Sequence, residues 1–535
     1  MGESLFWADQ FAERIIGRER YTYLDKKYLL PKKPTIKTSS SLSGVLHIGR
    51  LTDIIRGEAV YRALRDRGIK ARFIYVAEDM DPLRKIPKGV PAEYRRYLGM
   101  PVTDIPDPQG CHKNYGEHHV SEFFQVLSDF VEQEPKKFSM REEYRKGNFD
   151  QIIKTALEKA GQIRDIINHF KTEPLADDWI PYQVVCENCG KIMTTKITGY
   201  EDGKVRYVCK DYKFKVETAK GCGHKGEVIP KGGNGKLVWK SEWAAQWKRW
   251  DVVGEGAGKE YVVPNSAFFV NAHICEKVFD YPAIIPIFYE HITIGGGSKM
   301  SASVGNVVYP KDWLAVAPPE ALRLLFLKRI TKARDFKWSD VPKLMDELDQ
   351  LERVYYGIEK VTDERELANM KRLYEMVLVG KPPASYEERV PYSIAAMISQ
   401  LVSLDDRERL VSVLRKLGYE MTERTDELLP KAEAWANKHA QQFTLLKHVP
   451  KEAKKFSKKQ KVALAELADL LDRSWTDREY AKKIFETAEK NNLKPAKLFK
   501  AIYTVLLGQE RGPRAAPFIL SLDKKFVQRR FRLEG

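Results

Sequence analysis

The sequence predicts an α/β protein with a doubly wound parallel sheet, followed by an all-α C-terminal domain. Two stretches predict the sheet. Residues 35–38 are strand-like and lead through serines into a stretch with helical periodicity, and residues 73–76 form a short continuous apolar run. Apolar runs of that length are typical of strands buried on both faces, so strand, helix and strand form one β-α-β unit. Beyond Trp313 the apolar residues recur at helical spacing.

Composition indicates the kind of partner. The chain has 535 residues, too many for one hydrophobic core, and 91 Lys and Arg against 74 Asp and Glu give a net charge of +17. Such an excess attracts polyanions, so nucleic acid is the natural partner, although a heat-adapted, salt-bridged surface would also be rich in charge. The sequence contains no apolar run of membrane-spanning length, and its six cysteines are too few for a disulfide framework. We therefore expect a cytoplasmic protein.

A turn rich in small residues follows the first predicted strand. It contains Ser43, Gly44, His47, Gly49 and Arg50. Ligands of doubly wound sheets bind at the carboxyl ends of the strands, where the backbone NH groups that begin the next helix favour an anion. The turn therefore predicts a phosphate site, and the alternative is a histidine that only caps the helix.

A second loop of small residues occurs much further along the chain. Glycines 295–297 lead into Lys299, Met300, Ser301 and Ser303. A lysine can reach the β- and γ-phosphates of a nucleotide, and serine hydroxyls and backbone NH groups can hold oxyanions. A flexible surface turn is the alternative, but the presence of the His47 turn favours a triphosphate held between the two segments.

Cysteine and histidine spacing predicts metal binding within an insertion. Four cysteines have the spacing of a zinc ribbon, with His224 as an alternative fourth ligand: Cys186, Cys189, Cys209 and Cys222. A second group fits either a loop of surface histidines or a second zinc site: Asp107, Cys111, His112 and His118.

With these residues identified, the chain resembles the class I lysyl-tRNA synthetases found mainly in archaea. The His47 turn and the Lys299 loop resemble the HIGH and KMSKS signatures of class I synthetases. Residues 7–9, 78–87, 107–118 and 507–514 also resemble segments of this family, so the likeness extends nearly from end to end.

The resemblance implies an activity and a set of site residues. Lysine would be activated with ATP and Mg²⁺ to lysyl-adenylate and transferred to the 2′-hydroxyl of the terminal adenosine of tRNA-Lys. The residues implied for catalysis or ATP binding are Ser43, Gly44, His47, Gly49, Arg50, Lys299, Met300, Ser301 and Ser303. Those implied for the amino-acid pocket are Ser39, Ser41, Asp81, Trp243, Tyr261 and Tyr289. The resemblance also implies Zn²⁺ at the cysteine group and a second Zn²⁺ at the Asp107 group.

In the implied domain arrangement, an insertion divides the catalytic domain into two parts. Residues 1–93 and 237–312 would form the two halves of a Rossmann-like catalytic domain, and residues 94–236 the zinc-binding insertion. Residues 313–365 would form a helical region that contacts the tRNA stem, and residues 366–535 an all-α anticodon-binding domain.

The chain departs from the family mostly at the amino-acid pocket. Ser39 and Ser41 stand where the family has glycine and threonine, Leu42 replaces a proline, and Tyr261 replaces a histidine. These changes leave two alternatives open: a class I synthetase for another amino acid such as glutamate, or a paralogue that binds tRNA without activating an amino acid. The retained motif residues favour an active enzyme.

Overall fold

The computed structural model describes residues 6–42, 46–87, 89–300 and 307–534, and only the backbone of Ser298 and Lys299. The chain divides into two compact units. Unit 1 comprises Met1–Lys311, Arg323–Phe336 and Val361–Pro382, and unit 2 comprises Asp312–Leu322, Lys337–Lys360 and Pro383–Gly535.

The strands lie in unit 1. In chain order they are β1 (Thr35–Ser41), β2 (Arg72–Glu78), β3 (Lys136–Ser139), β4 (Tyr182–Val184), β5 (Thr195–Glu201), β6 (Lys204–Cys209), β7 (Tyr212–Lys213), β8 (Thr218–Ala219), β9 (Lys225–Val228), β10 (Gly235–Leu237), β11 (Val252–Gly258), β12 (Ile285–Tyr289), β13 (Ile292–Ile294), β14 (Ser298–Lys299) and β15 (Arg334–Phe336).

Eleven α-helices begin before residue 320 within the described residues. They are α1 (Trp7–Ile16), α2 (Ile48–Asp66), α3 (Tyr115–Gln125), α4 (Met140–Arg145), α5 (Asp150–Glu158), α6 (Ala160–His169), α7 (Trp239–Arg249), α8 (Lys259–Val262), α9 (Ala267–Lys277), α10 (Pro310–Leu314) and α11 (Pro319–Leu327).

The remaining helices belong to unit 2, apart from α13, which belongs to unit 1. They are α12 (Val341–Tyr355), α13 (Glu364–Val377), α14 (Tyr392–Ile398), α15 (Arg407–Lys416), α16 (Glu423–His439), α17 (Lys458–Leu470), α18 (Asp477–Lys490), α19 (Pro495–Leu507), α20 (Ala515–Ser521) and α21 (Lys524–Phe531). The all-helical C-terminal region predicted from the sequence is confirmed. Within the described residues, no helix is long and apolar enough to span a membrane.

The predicted doubly wound parallel sheet is also confirmed. Its five strands are parallel, in the order β12-β11-β1-β2-β3. The chain extends the sheet from β1 through β2 to β3, and then returns to add β11 and β12 on the other side of β1. The strand order therefore reverses between β1 and β11, and a crevice at such a point is where ligands of these sheets bind.

Helix α2 connects β1 to β2 and supports the crevice from one face. Its apolar residues Leu51, Ile54, Ile55 and Ala59 are at most 1% exposed. Burial of each larger side chain contributes about 1.5–3 kcal/mol, which fixes the start of the helix against the sheet. The helix ends before Gly68, whose φ of +77° is left-handed and suits glycine.

Two strands of the sheet differ from the sequence prediction. β3 comes from the segment assigned to the insertion, and its sequence Lys-Lys-Phe-Ser has no apolar run because it lies at a sheet edge. The apolar run of residues 283–289 predicts a buried strand, whereas β12 begins at Ile285 and forms the opposite edge, so most of its residues are only half-buried.

Candidate active site

A cavity of about 660 Å³ lies at the reversal point of the sheet. Its walls come from the carboxyl ends of β1, β2, β11 and β12 and from the first turns of α2 and α7. The structure brings together in this cavity all six residues predicted for the amino-acid pocket: Ser39, Ser41, Asp81, Trp243, Tyr261 and Tyr289. Gly49 and Arg50 of the first motif line it as well.

The first motif sets the geometry of the helix start. His47 is the N-cap of α2, and its Nδ1 accepts a hydrogen bond of 3.1 Å from the Gly49 backbone NH. A Cβ at Gly49 would lie only 2.8 Å from His47 Cε1. Glycine is therefore required two residues after the histidine, because any side chain there would displace the imidazole.

The chain that follows the second motif contacts the start of α2 through the backbone. The Ile48 NH donates to the Val308 carbonyl at 2.9 Å. Met300 lines a smaller cavity of about 150 Å³ together with His47, Gly49 and Arg50. The structure thus brings the two distant segments to one side of the site, with Met300 itself 5% exposed.

Several predicted residues lie outside what the structure describes. These are Ser43 and Gly44 of the first motif, Ser301 and Ser303 of the second, and the side chain of Lys299. The backbone of Lys299 pairs with Thr293 in the β13–β14 hairpin. The glycines before it all have positive φ, and the Asp335 carboxylate accepts from the NH groups of Gly296 and Gly297.

Aromatic rings form one wall of the cavity. Trp239 and Trp243 stack with ring centroids 5.6 Å apart and an interplanar angle of 19°. The Tyr261 ring lies 5.9 Å from Trp239 and 6.0 Å from Trp243. Trp243 is 7% exposed but Trp239 is 43% exposed, so the wall continues to the surface. Such a wall suits the methylenes of a long aliphatic side chain.

A buried ion pair lies at the floor of the cavity. Glu255 on β11 accepts from Lys37 Nζ at 2.5 Å and from Ser39 Oγ at 3.2 Å through Oε1. Its Oε2 accepts from the indole NH groups of Trp243 and Trp247, each at 2.8 Å. The side chains of Lys37 and Glu255 are 0% and 2% exposed. Glu255 therefore links the tryptophans of α7 to Lys37 and Ser39 on β1.

A second buried lysine neutralises the neighbouring carboxylates. Lys236 Nζ lies 2.9 Å from Glu242 Oε2 and 3.1 Å from Asp81 Oδ1. Burial alone would lower the pKa of Lys236, but Glu242 and Asp81 outweigh it and hold that pKa well above its usual value. Tyr144 donates to the other Glu242 oxygen at 2.7 Å, and Ser41 donates to Asp81 Oδ2 at 3.2 Å.

Two further carboxyl groups line the cavity. Both Glu78 oxygens lie 3.1 Å from Gln246 Nε2, and burial raises the pKa of Glu78 above its usual range. Burial and then the neighbouring Glu255 carboxylate raise the pKa of Asp53 to about 6. Four carboxyl groups thus line the cavity, from Asp53, Glu78, Asp81 and Glu255, together with the guanidinium groups of Arg50 and Arg84. Lys37, Lys236 and Glu242 lie behind this lining as buried partners.

Sequence reasoning did not assign Lys37, Asp53 or Glu255 to the pocket. A charged residue inside a strand of buried pattern, as Lys37 is in β1, signals a buried partner, because an unpaired charge there would be strongly unfavourable. Nothing in the sequence pattern, however, indicates that the partner is Glu255.

The four cysteines of the ribbon converge in space. The Sγ atoms of Cys186 and Cys222 are 3.6 Å apart, and those of Cys189 and Cys209 are 3.7 Å apart. Sulfur atoms about 2.3 Å from a tetrahedral ion lie about 3.8 Å from one another, so the four thiols fit zinc. His224 lies elsewhere, with Nε2 3.9 Å from the Glu187 carboxylate.

The second group also converges. Its ligand atoms, from Asp107, Cys111, His112 and His118, all lie within 4.8 Å of one another. His118 Nδ1 is 3.0 Å from Asp107 Oδ1 and 3.3 Å from Cys111 Sγ. The mixture of one thiol, two imidazoles and a carboxylate suits the same ion.

The family model described as "tRNA synthetases class I (K)" matches residues 5–379, and one described as "Anticodon binding domain" matches residues 391–533. The chain belongs to the class I (K) tRNA synthetases. The synthetase is 32% identical to a lysine–tRNA ligase of Methanosphaera stadtmanae and 33% identical to one of Methanococcus maripaludis. A lysine–tRNA ligase of Methanocaldococcus jannaschii is 32% identical. Each alignment covers 99% of this chain and 100% of the relative. Class I synthetases use ATP and Mg²⁺.

Proposed function

We propose that this synthetase activates lysine with ATP and transfers it to tRNA-Lys, in the cytoplasm. The observation that carries the proposal is the charge of the amino-acid pocket. Four carboxyl groups line its cavity, from Asp53, Glu78, Asp81 and Glu255, against the two guanidinium groups of Arg50 and Arg84. A cationic side chain can pair with these carboxyl groups, whereas glutamate would bring a further negative charge beside them.

The proposed reaction has two steps. The carboxylate of lysine attacks the α-phosphorus of ATP, forming lysyl-adenylate and releasing pyrophosphate. The 2′-hydroxyl of the terminal adenosine then attacks the carbonyl carbon, and AMP leaves. Both steps depend on positioning and on stabilisation of charge, which we assign to the His47 turn and to Lys299, Ser301 and Ser303. Mg²⁺ would neutralise the triphosphate.

The remaining parts of the chain have supporting roles in this proposal. Residues 366–535 would read the anticodon and residues 313–365 would contact the tRNA stem. Some basic residues at the C-terminus already have partners within unit 2: Arg532 and Lys524 pair with Asp469 and Asp472. Phosphate contacts are therefore expected from other lysines and arginines.

Pyrophosphate exchange with each of the twenty amino acids, with and without tRNA, tests the proposal. We expect exchange with lysine. Exchange with glutamate alone would favour a synthetase of that specificity, and the absence of exchange even with tRNA would favour a tRNA-binding paralogue.

We further propose that Zn²⁺ binds at both ligand groups. The four thiols would form a structural site, and Asp107, Cys111, His112 and His118 a second. Metal analysis of the purified protein should give two zinc ions per chain. A Cys186→Ser variant should lose one of them and an Asp107→Ala variant the other. One zinc in the wild type would exclude the Asp107 site.

A further inference from the structure

Most carboxylates of the amino-acid pocket already have partners. Glu255 accepts four hydrogen bonds, from Lys37, Ser39 and two indoles. Asp81 and Glu242 share the ammonium group of Lys236. A substrate cation would have to displace these contacts to reach any of the three.

Asp53 differs from them. It lies on α2, one turn after Gly49, and lines the cavity. The Ser39 backbone and the Tyr289 hydroxyl hydrogen-bond to its carboxyl group. Its Oδ1 atom is nevertheless buried without a hydrogen-bond partner among the residues that the structure describes. Buried carboxylate oxygens are rarely left in this state, because the lost hydration is costly.

The strand beneath Asp53 leaves room for this carboxylate. A Cβ at Gly256 would lie only 1.8 Å from Asp53 Oδ1. Gly256 does not have a positive φ. The backbone conformation at this position would therefore allow a side chain. The Asp53 carboxylate does not allow one, because it occupies the space that a Cβ would fill.

We propose that Asp53 is a specificity-determining residue whose Oδ1 accepts the side-chain ammonium of the substrate. This inference rests on the proposed function, since it assigns the residue that binds the cation of lysine. Asp53 lies about 6 Å along the helix from Gly49, near the start of α2. A lysine whose carboxylate faces the triphosphate at the helix start can extend its methylenes along the aromatic wall and place its ammonium at Asp53.

The Asp53→Asn variant tests the assignment, because it removes the charge and keeps the shape. We expect the KM for lysine in pyrophosphate exchange to rise about 10- to 100-fold, while the KM for ATP stays within about twofold. The inhibition constant of norleucine, which lacks the side-chain ammonium, should not rise. The melting temperature without lysine should not fall, since the substitution removes a buried charge whose Oδ1 atom has no hydrogen-bond partner among the described residues.

Two further variants separate position from charge. Gly256→Ala keeps the Asp53 charge but displaces its carboxylate, so the KM for lysine should again rise. Asp66→Asn is the matched control on the same helix, since Asp66 pairs with Arg372 away from the cavity, and it should keep the wild-type KM.

Three results would overturn the assignment or its basis. An unchanged KM for lysine in Asp53→Asn would exclude Asp53 as the ammonium ligand. Equal weakening of lysine and norleucine would show that Asp53 binds the α-ammonium instead. Absence of lysine-dependent exchange in the wild type would contradict the proposed function itself, which the first two results leave intact.

Discussion

The two ends of the active-site cavity are built differently. At the motif end, the positions of His47, Gly49 and Val308 follow from backbone hydrogen bonds and from the lack of a side chain at Gly49. At the amino-acid end, the positions of Lys37 and Glu255 follow from contacts between side chains on separate strands.

This difference predicts how each end tolerates substitution. At the motif end the geometry depends on contacts between residues close in sequence. A variant there should therefore slow adenylate formation while leaving the fold intact. The network of the amino-acid end is part of the core, so a variant there should affect both stability and substrate binding.

The largest expected effect is on stability at the amino-acid end. Lys37→Met leaves Glu255 buried without its cation and should lower the free energy of unfolding by about 3–5 kcal/mol. Chemical denaturation followed by circular dichroism measures it. The double variant Lys37→Met/Glu255→Gln should recover much of the loss, and equal stability of the single and double variants would contradict the buried ion pair.

Lys299→Ala examines the motif end. Loss of a cation that stabilises the triphosphate should slow lysine-dependent pyrophosphate exchange about 10²- to 10³-fold. Binding of tRNA, measured by filter binding, should be unchanged because it depends on other surfaces. Equal losses in both assays would contradict the role of Lys299.

Gly49→Ala should have a smaller effect on the same chemistry. The new Cβ would displace the His47 ring and weaken adenylate formation about 10²-fold, with little change in melting temperature. Gly161→Ala is the matched control, since nothing lies within 4 Å of its Cβ position. A Gly49→Ala enzyme with wild-type exchange rates would show that the imidazole is not positioned by this contact.

The smallest effect is on pH dependence at the amino-acid end. The pKa of Asp53 is raised to about 6, in an environment where Lys37, Glu255 and Tyr289 face it from β1, β11 and β12. Protonation below that pH removes the charge that binds ammonium, so the KM for lysine should rise about tenfold per pH unit below about pH 6. The Asp53→Asn variant should lack this rise, and a rise of the same size in both proteins would assign it to another group.

Much of the fold could be predicted from local patterns. The apolar run of β2 and the periodicity of α2 identified a β-α-β unit, and Gly68 marked the end of the helix. β3 was missed because an exposed edge strand such as Lys136–Ser139 has no apolar pattern.

The six predicted pocket residues do line one cavity, since they follow strands whose carboxyl ends meet. Their partners could not be predicted in the same way. Lys37 and Glu255 are distant in sequence, and only the parallel register of β1 with β11 places them opposite each other. Packing of α2 against β11 places the Asp53 carboxylate over Gly256.

The sequence by itself therefore determined the fold class, the two motifs and the ligand sets of both metal groups, because each depends on the spacing of nearby residues. Only the tertiary structure decided which pocket carboxylates have partners and which one, that of Asp53, has an oxygen without a hydrogen-bond partner among the described residues. Ion pairing depends on distances of a few ångströms between strands, and those distances are fixed by packing of the whole sheet.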